Sequence, residues 1–362
     1  MNETPRSPSA PSLVSLDILR AFAACLVVLE HTRGAAFVAF GDLPPDQHTM
    51  LVRAMYLAAR LGQEAVVLFF VLSGFLVGGQ IIRRARTNRF DSHDYAIDRA
   101  TRILLPLIPA AIFAGIVGVV RQMAPFDPLQ IAGNALGLNG ILVKTLPTDV
   151  PLWSLAYEIW FYVIAGVAAV LCAKRGGILP LALGLAAMLA FCRLDASLLL
   201  VWVLGALAST VEIPRGRGLL ALIGVCVLVA GSAAIQLARP SLAVAGTGTF
   251  PAALARGVFA AGILLAIPWL TSPSLNRALA RHTGLARAAA FLAGMSYTLY
   301  LFHYPLLNLL AFWFTPRALS TGAFAALAGV LAIVFVFALA MYWLFERNTD
   351  ALRRRIKRMI AR

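Results

Sequence analysis

Two side chains eleven residues apart, Arg20 and His31, stand inside an apolar run that begins near residue 13. On a helix, eleven steps of 100° make three turns plus about 20°, so both project from one face about 16 Å apart along the axis. A cation and an imidazole on one stripe are costly at membrane depth, roughly 2.5–3.5 kcal/mol each on insertion scales, and such groups are functional candidates. An imidazole with an ordinary pKa of about 6.5 suits a general base, and a guanidinium suits developing negative charge. Asp17 is three residues before Arg20 and within pairing reach, whereas Glu30 points about 100° away from His31. The plainer alternatives are a snorkelling arginine and a hydrogen-bonded core histidine.

Further candidates occur in four other runs. In PLWSLAYEIWFYV, Ser154, Glu158 and Tyr162 share a stripe, and Trp153 and Tyr157 occupy the neighbouring one. Glu158 is expected about two turns below the outer surface, in the same half of the membrane as His31, where it would orient or protonate the imidazole. In GMSYTLYLFHYP, Ser296, Tyr300 and His303 share a face, and Pro305 is expected to kink the helix just beyond. FFVLSGFLV places Ser73 and Gly74 at mid-span, as close helix packing or as a substrate passage. RATR brings Arg99 and Arg102 to a helix entrance beside Arg83, Arg84, Arg86 and Arg89; these forks suit phosphate oxygens, and anionic lipid headgroups would satisfy them equally.

The elements that must position these groups are membrane helices. With 362 residues, 60% hydrophobic and 13% charged, and a mean hydropathy of +0.83, the chain cannot be a string of soluble domains. The expected fold is an all-α, polytopic transmembrane bundle of ten spans near 13–36, 63–82, 102–121, 152–173, 177–192, 196–211, 218–238, 250–271, 292–314 and 321–345. Most of the 31 Lys and Arg fall in the connections and tail that an even span count puts on one face. Lys and Arg mark the cytoplasmic side, so both termini are expected there, with residues 1–12 a polar tail, 13–346 the membrane domain and 347–362 a basic tail. The net charge of +15 is thus read as helix-end charge and not as a nucleic-acid surface. Cys25, Cys172, Cys192 and Cys226 lack metal or disulfide spacing and read as small core residues. No cleavable signal is expected ahead of the first span.

Taken in order, LDILRAFAACLVVLEH, FFVLSGFLV, RATR, LWSLAYE, SYTLYLFHYP and the closing YWLFER resemble the acyltransferase-3 family of integral membrane acyltransferases, from about residue 14 to 347. The resemblance implies transfer of an acyl group, most often acetyl from cytoplasmic acetyl-CoA, to a hydroxyl of an extracytoplasmic or lipid-linked carbohydrate. It implies a bacterial inner-membrane protein whose partners are acyl-CoA, a glycan acceptor and the bilayer, with no metal. Position by position, His31 looks like the family's essential histidine and Arg20 like its arginine partner. Arg99 and Arg102 match the arginines associated with CoA phosphates. Trp153, Ser154 and Glu158 match the fourth-span motif, and Ser73, Gly74, Tyr297, Tyr300 and His303 fall in further motifs. Arg347 is followed by Asn348 where the family often has proline, a departure beside Glu346. A proton-coupled transporter of a small solute or glycan precursor, or a structural scaffold, would use the same intramembrane charges differently.

Overall fold

A computed structural model describes residues 13–173, 177–213, 216–242 and 250–360. The tail 1–12 and the expected inward charges Lys174, Arg175, Arg215 and Arg362 lie outside the described residues. Each of the ten expected apolar runs is helical. The helices are α1 (Val14–Ala36), α2 (Met50–Ala58), α3 (Gly62–Ser73), α4 (Gly79–Arg86), α5 (Ser92–Val120), α6 (Pro128–Ala135) and α7 (Trp153–Cys172). They continue as α8 (Ile178–Phe191), α9 (Ala196–Ala208), α10 (Arg217–Leu242), α11 (Phe250–Leu270), α12 (Pro273–Arg281), α13 (Thr283–Leu310), α14 (Thr321–Met341) and α15 (Thr349–Ile360). Among the described residues, seven helical stretches are long and apolar enough to cross a membrane. The helices α8 and α9 are apolar but shorter, and α1 carries Asp17, Arg20, Glu30 and Arg33 within its 23 residues. The chain is an all-α membrane protein.

Local chemistry sets several helix starts. Asp91, Asp127, Asp195 and Ser320 each accept a hydrogen bond from a backbone N–H of the first turn that follows, which satisfies donors the helix itself cannot. The start of α1 is tied to another part of the bundle: Ser15 Oγ donates to the Leu270 carbonyl at 2.6 Å, and the Ser15 N–H to Asn276 Oδ1 at 3.1 Å. Beyond its last turn, Val38 N–H donates to the Arg317 carbonyl at 3.1 Å, and Arg317 N–H to that of Ala36 at 3.0 Å. Fastened at both ends, α1 packs against α3, α13 and α14.

Two π-turns interrupt the ladder, Gly74–Gly78 between α3 and α4 and Tyr342–Glu346 after α14. Such wide turns re-aim the side chains that follow and concentrate at functional sites. Pro305, expected to kink the helix just beyond His303, lies inside α13, which continues through it to Leu310. The cysteines also depart from expectation, since Cys172, Cys192 and Cys226 are exposed and only Cys25 is partly buried. An apolar context does not mark the interior here, because lipid accepts apolar side chains on every outward face.

The π-turn helix meets α9 almost backbone to backbone. A Cβ on Gly74 would lie 2.0 Å from the Trp202 carbonyl oxygen, and one on Gly205 2.4 Å from that of Val71. Gly74→Ala is therefore expected to destabilise the protein by about 1–3 kcal/mol through overpacking. A clear drop in thermal midpoint in detergent checks this, and an unchanged midpoint would mean the helices separate at no cost.

Candidate active site

Arg20 and His31 both turn toward α13. The Arg20 guanidinium donates to the Ala293 carbonyl at 3.3 Å, and the His31 ring packs 5.3 Å from His303 and edge-on to Tyr304 at 4.9 Å. The order of these contacts makes α1 and α13 parallel. The shared stripe expected from eleven-residue spacing thus faces protein.

Around Arg20 lies a cavity of about 310 Å³ between α1, α3, α5, α7 and α13. Arg20, Arg99 and Arg102 line it with Ser73, Ser154, Glu158, Tyr162, Tyr297 and Tyr300, over walls of Phe69, Phe70, Leu72 and Leu76. Three guanidiniums against one lining carboxylate make an anion-attracting chamber. Each cation has its own support. Arg102 pairs with Glu346 at 2.8 Å, and the Glu346 side chain, 1% exposed, also accepts from the Thr298 N–H at 3.1 Å and the Thr298 hydroxyl at 2.5 Å. Arg99 lies over the Tyr162 ring, 5.5 Å from its centroid. Arg20 feels repulsion from Arg102 and attraction from Asp17 and Glu346.

A polar chain fixes the wall opposite Arg20. Trp202 Nε1 donates to Ser73 Oγ at 3.1 Å, and Tyr162 donates to Glu158 Oε1 at 2.6 Å. The single Tyr162 proton is committed to Glu158, so the 3.1 Å contact between Ser73 and Tyr162 has Ser73 as donor. Closer to His31, the Tyr300 hydroxyl donates to the Pro151 carbonyl at 3.0 Å and accepts from Ser154 Oγ at 2.8 Å, each hydroxyl having one proton to give. His303 is fully buried, with Nδ1 2.7 Å from the Tyr300 carbonyl and 3.2 Å from that of Leu299. Carbonyls only accept, so Nδ1 carries the proton and Nε2 keeps its lone pair without a protein partner.

The family model described as an acyltransferase domain matches residues 13–343, nearly the whole chain. The chain belongs to the acyltransferase-3 family. No curated protein and no solved structure matches it. In this acyltransferase all six motifs bring a residue to the cavity or its edge, but not every candidate residue lines it. Arg20, Ser73, Arg99, Arg102, Ser154, Glu158, Tyr297 and Tyr300 share the cavity, and His303 and His31 follow in sequence from Tyr300, whose ring is 5.8 Å from that of His303. Gly74 packs on the Trp202 backbone and does not line the chamber. Trp153 and Tyr157 join an aromatic layer with Phe70 and Phe161, and the Tyr157 hydroxyl accepts from the Asp195 N–H at 2.8 Å, bracing the turn into α9. Glu158, expected to orient His31, takes the Tyr162 hydroxyl as its partner among the arginines, because the side chain follows the Ser73 wall.

Two acids of the acyltransferase were not singled out as site residues. Glu346 is aimed inward by its π-turn, a distortion that an ideal 3.6-residue pattern does not register. Asp149 precedes the turn into α7, fully buried, with neither carboxylate oxygen bonded to protein. Burial holds its carboxyl well above the ordinary carboxylate range. Its signal in the sequence was an acid wedged between Pro147 and Pro151 at the mouth of an apolar run.

The Ser154–Tyr300–Pro151 knot predicts energetic coupling. In a thermal double-mutant cycle of Ser154→Ala and Tyr300→Phe, the single losses should exceed the additional loss in the double variant, with a coupling of about 0.5–3 kcal/mol. Additive losses would mean that the two hydroxyls act independently.

Proposed function

We propose that this membrane acyltransferase moves an acetyl group from cytoplasmic acetyl-CoA to a hydroxyl of an extracytoplasmic or lipid-linked carbohydrate, in a bacterial inner membrane with both termini cytoplasmic. The observation that carries this reading is the placement of Arg20 and His31 on one protein-facing stripe of α1, with the three-arginine chamber at one end and the His31–His303 pair at the other. Acetyl-CoA, as co-substrate, supplies an activated thioester. The residues present fit it. Guanidinium forks at Arg99 and Arg102 suit phosphate oxygens, and the phenylalanine and leucine walls suit an extended acyl-bearing chain.

In this mechanism His31 accepts the proton of the attacking hydroxyl. His303, whose Nδ1 is fixed on two backbone carbonyls, buttresses the His31 ring. Arg20, at the other end of the stripe, holds negative charge of the bound donor together with Arg99 and Arg102. Glu158, with Tyr162 and Ser73, holds the chamber wall and balances part of the arginine charge. Tyr297 and Tyr300 shape the passage between the two ends, Tyr297 donating to the Ile103 carbonyl at 3.2 Å. Transfer through this passage needs no acetylated carrier to cross the bilayer.

Two outcomes test the reading in purified protein that retains its elution volume. His31→Ala should lower kcat for acetyl transfer roughly 10²–10⁴-fold, the usual contribution of a positioned base. Full activity in that variant would remove His31 from the mechanism. Losing a charge-assisted hydrogen bond costs about 1.5–3 kcal/mol, so Arg99→Ala should raise the KM for acetyl-CoA roughly tenfold to a hundredfold. An unchanged KM in both Arg99→Ala and Arg102→Ala would end the assignment of phosphate binding to these side chains.

A further inference from the structure

A fully buried carboxyl without a protein partner is expensive, since an unmet polar group costs roughly 1–3 kcal/mol. Asp149 is such a group, and the backbone around it is well fixed. The Thr148 hydroxyl donates to the Ala114 carbonyl of α5 at 2.6 Å, and the Thr148 carbonyl accepts from Asn308 of α13 at 3.2 Å. Two residues past Asp149, the Pro151 carbonyl accepts from Tyr300. Tyr300, Tyr304 and Asn308 are successive fourth residues on one face of α13, so they stand one above another. Asp149 is bracketed between the partners of the first and the last and is therefore level with the middle one. That residue, Tyr304, packs edge-on against His31. Asp149 is a near neighbour of both Tyr300 and Tyr304. Next to them the Nε2 of His303 is likewise buried without a protein partner.

We propose that Asp149 is an acceptor-binding residue, which with His31 and Tyr304 forms a polar chamber for a polyol or sugar and engages two neighbouring hydroxyls through its two oxygens. The proposal rests on the acyl-transfer reading and deepens it. A carboxyl has two oxygens side by side, a spacing that matches adjacent hydroxyls on a sugar ring. The hydroxyl beside that pair then lies against His31, where its proton can be taken. The chamber is at the opposite end of the α1 stripe from the three arginines, so acceptor and donor do not compete for one space.

Asp149→Leu separates a ligand-binding carboxyl from a structural one, because it removes only polar atoms that have no protein partner. The probe is the envelope glycan of the expressing cells, stripped of O-acetyl groups by mild base. The variant should unfold at the same or a higher temperature than the parent, raise the KM for this glycan at least about tenfold, and leave the KM for acetyl-CoA within about twofold. An unchanged glycan KM, or a fall in thermal midpoint with both KM values rising together, would overturn the proposal. A second measurement needs no variant: the glycan should slow carbodiimide labelling of Asp149, read by peptide mass spectrometry, at least about fivefold while acetyl-CoA does not, as expected for a saturating ligand on that group. Labelling that the glycan leaves unchanged would count against the site. If the parent protein releases no CoA with the glycan, the acyl-transfer reading itself fails, a result distinct from either failure of Asp149.

Discussion

An arginine and a histidine on one membrane-depth helix must be enclosed by protein, or the helix cannot remain in the bilayer at acceptable cost. The organisation of the centre follows from that constraint. Helix α1 is pinned at its start by Ser15 on Leu270 and Asn276, and beyond its end by Val38 and Arg317. Between these ties it presents Arg20 and His31 to α13. The parallel course of α1 and α13 lets one helix serve both residues, so the separation of cation and imidazole along α1 is reproduced along α13.

The chemistry is divided accordingly. At one end the guanidiniums are held apart by their own carboxylates, backbone carbonyls and aromatic faces, with Glu346 supporting Arg102 from the closing π-turn. At the other the neutral His303 stands behind His31, and Asp149 approaches from the turn that leads into α7. Tyr300 joins the two, since its hydroxyl ties α13 to Ser154 and Pro151 while its backbone carbonyl fixes His303. A displacement of α7 would therefore move both the chamber wall and the imidazole.

Much of this was legible in the sequence, for reasons that are local. Each of the ten apolar runs is helical, seven helical stretches among the described residues having membrane length, and the eleven-residue spacing placed Arg20 and His31 on a common face. The stripe Ser154–Glu158–Tyr162 was likewise readable and does face the cavity, as does RATR. What escaped were contacts between distant parts of the chain. Depth alone placed Glu158 in the same half of the membrane as His31, but the lateral neighbour that decides its bonding, Ser73, is 89 residues from Tyr162 and reaches it only when α3 packs on α7. Gly74 was ambiguous between packing and passage until the Trp202 carbonyl stood against it. Asp149 drew no notice in the sequence because its neighbour Thr148 is fixed by Ala114 and Asn308, neither of them near in sequence.

The central claim is that one protein-facing stripe joins donor and acceptor from opposite sides of the membrane. Sealed proteoliposomes with a single protein orientation test it directly, with radiolabelled acetyl-CoA confined to the side of the termini and de-O-acetylated glycan to the other. The account predicts label on the glycan across the intact bilayer, with none when His31→Ala protein is used. Label that forms only when both substrates share a compartment would contradict it.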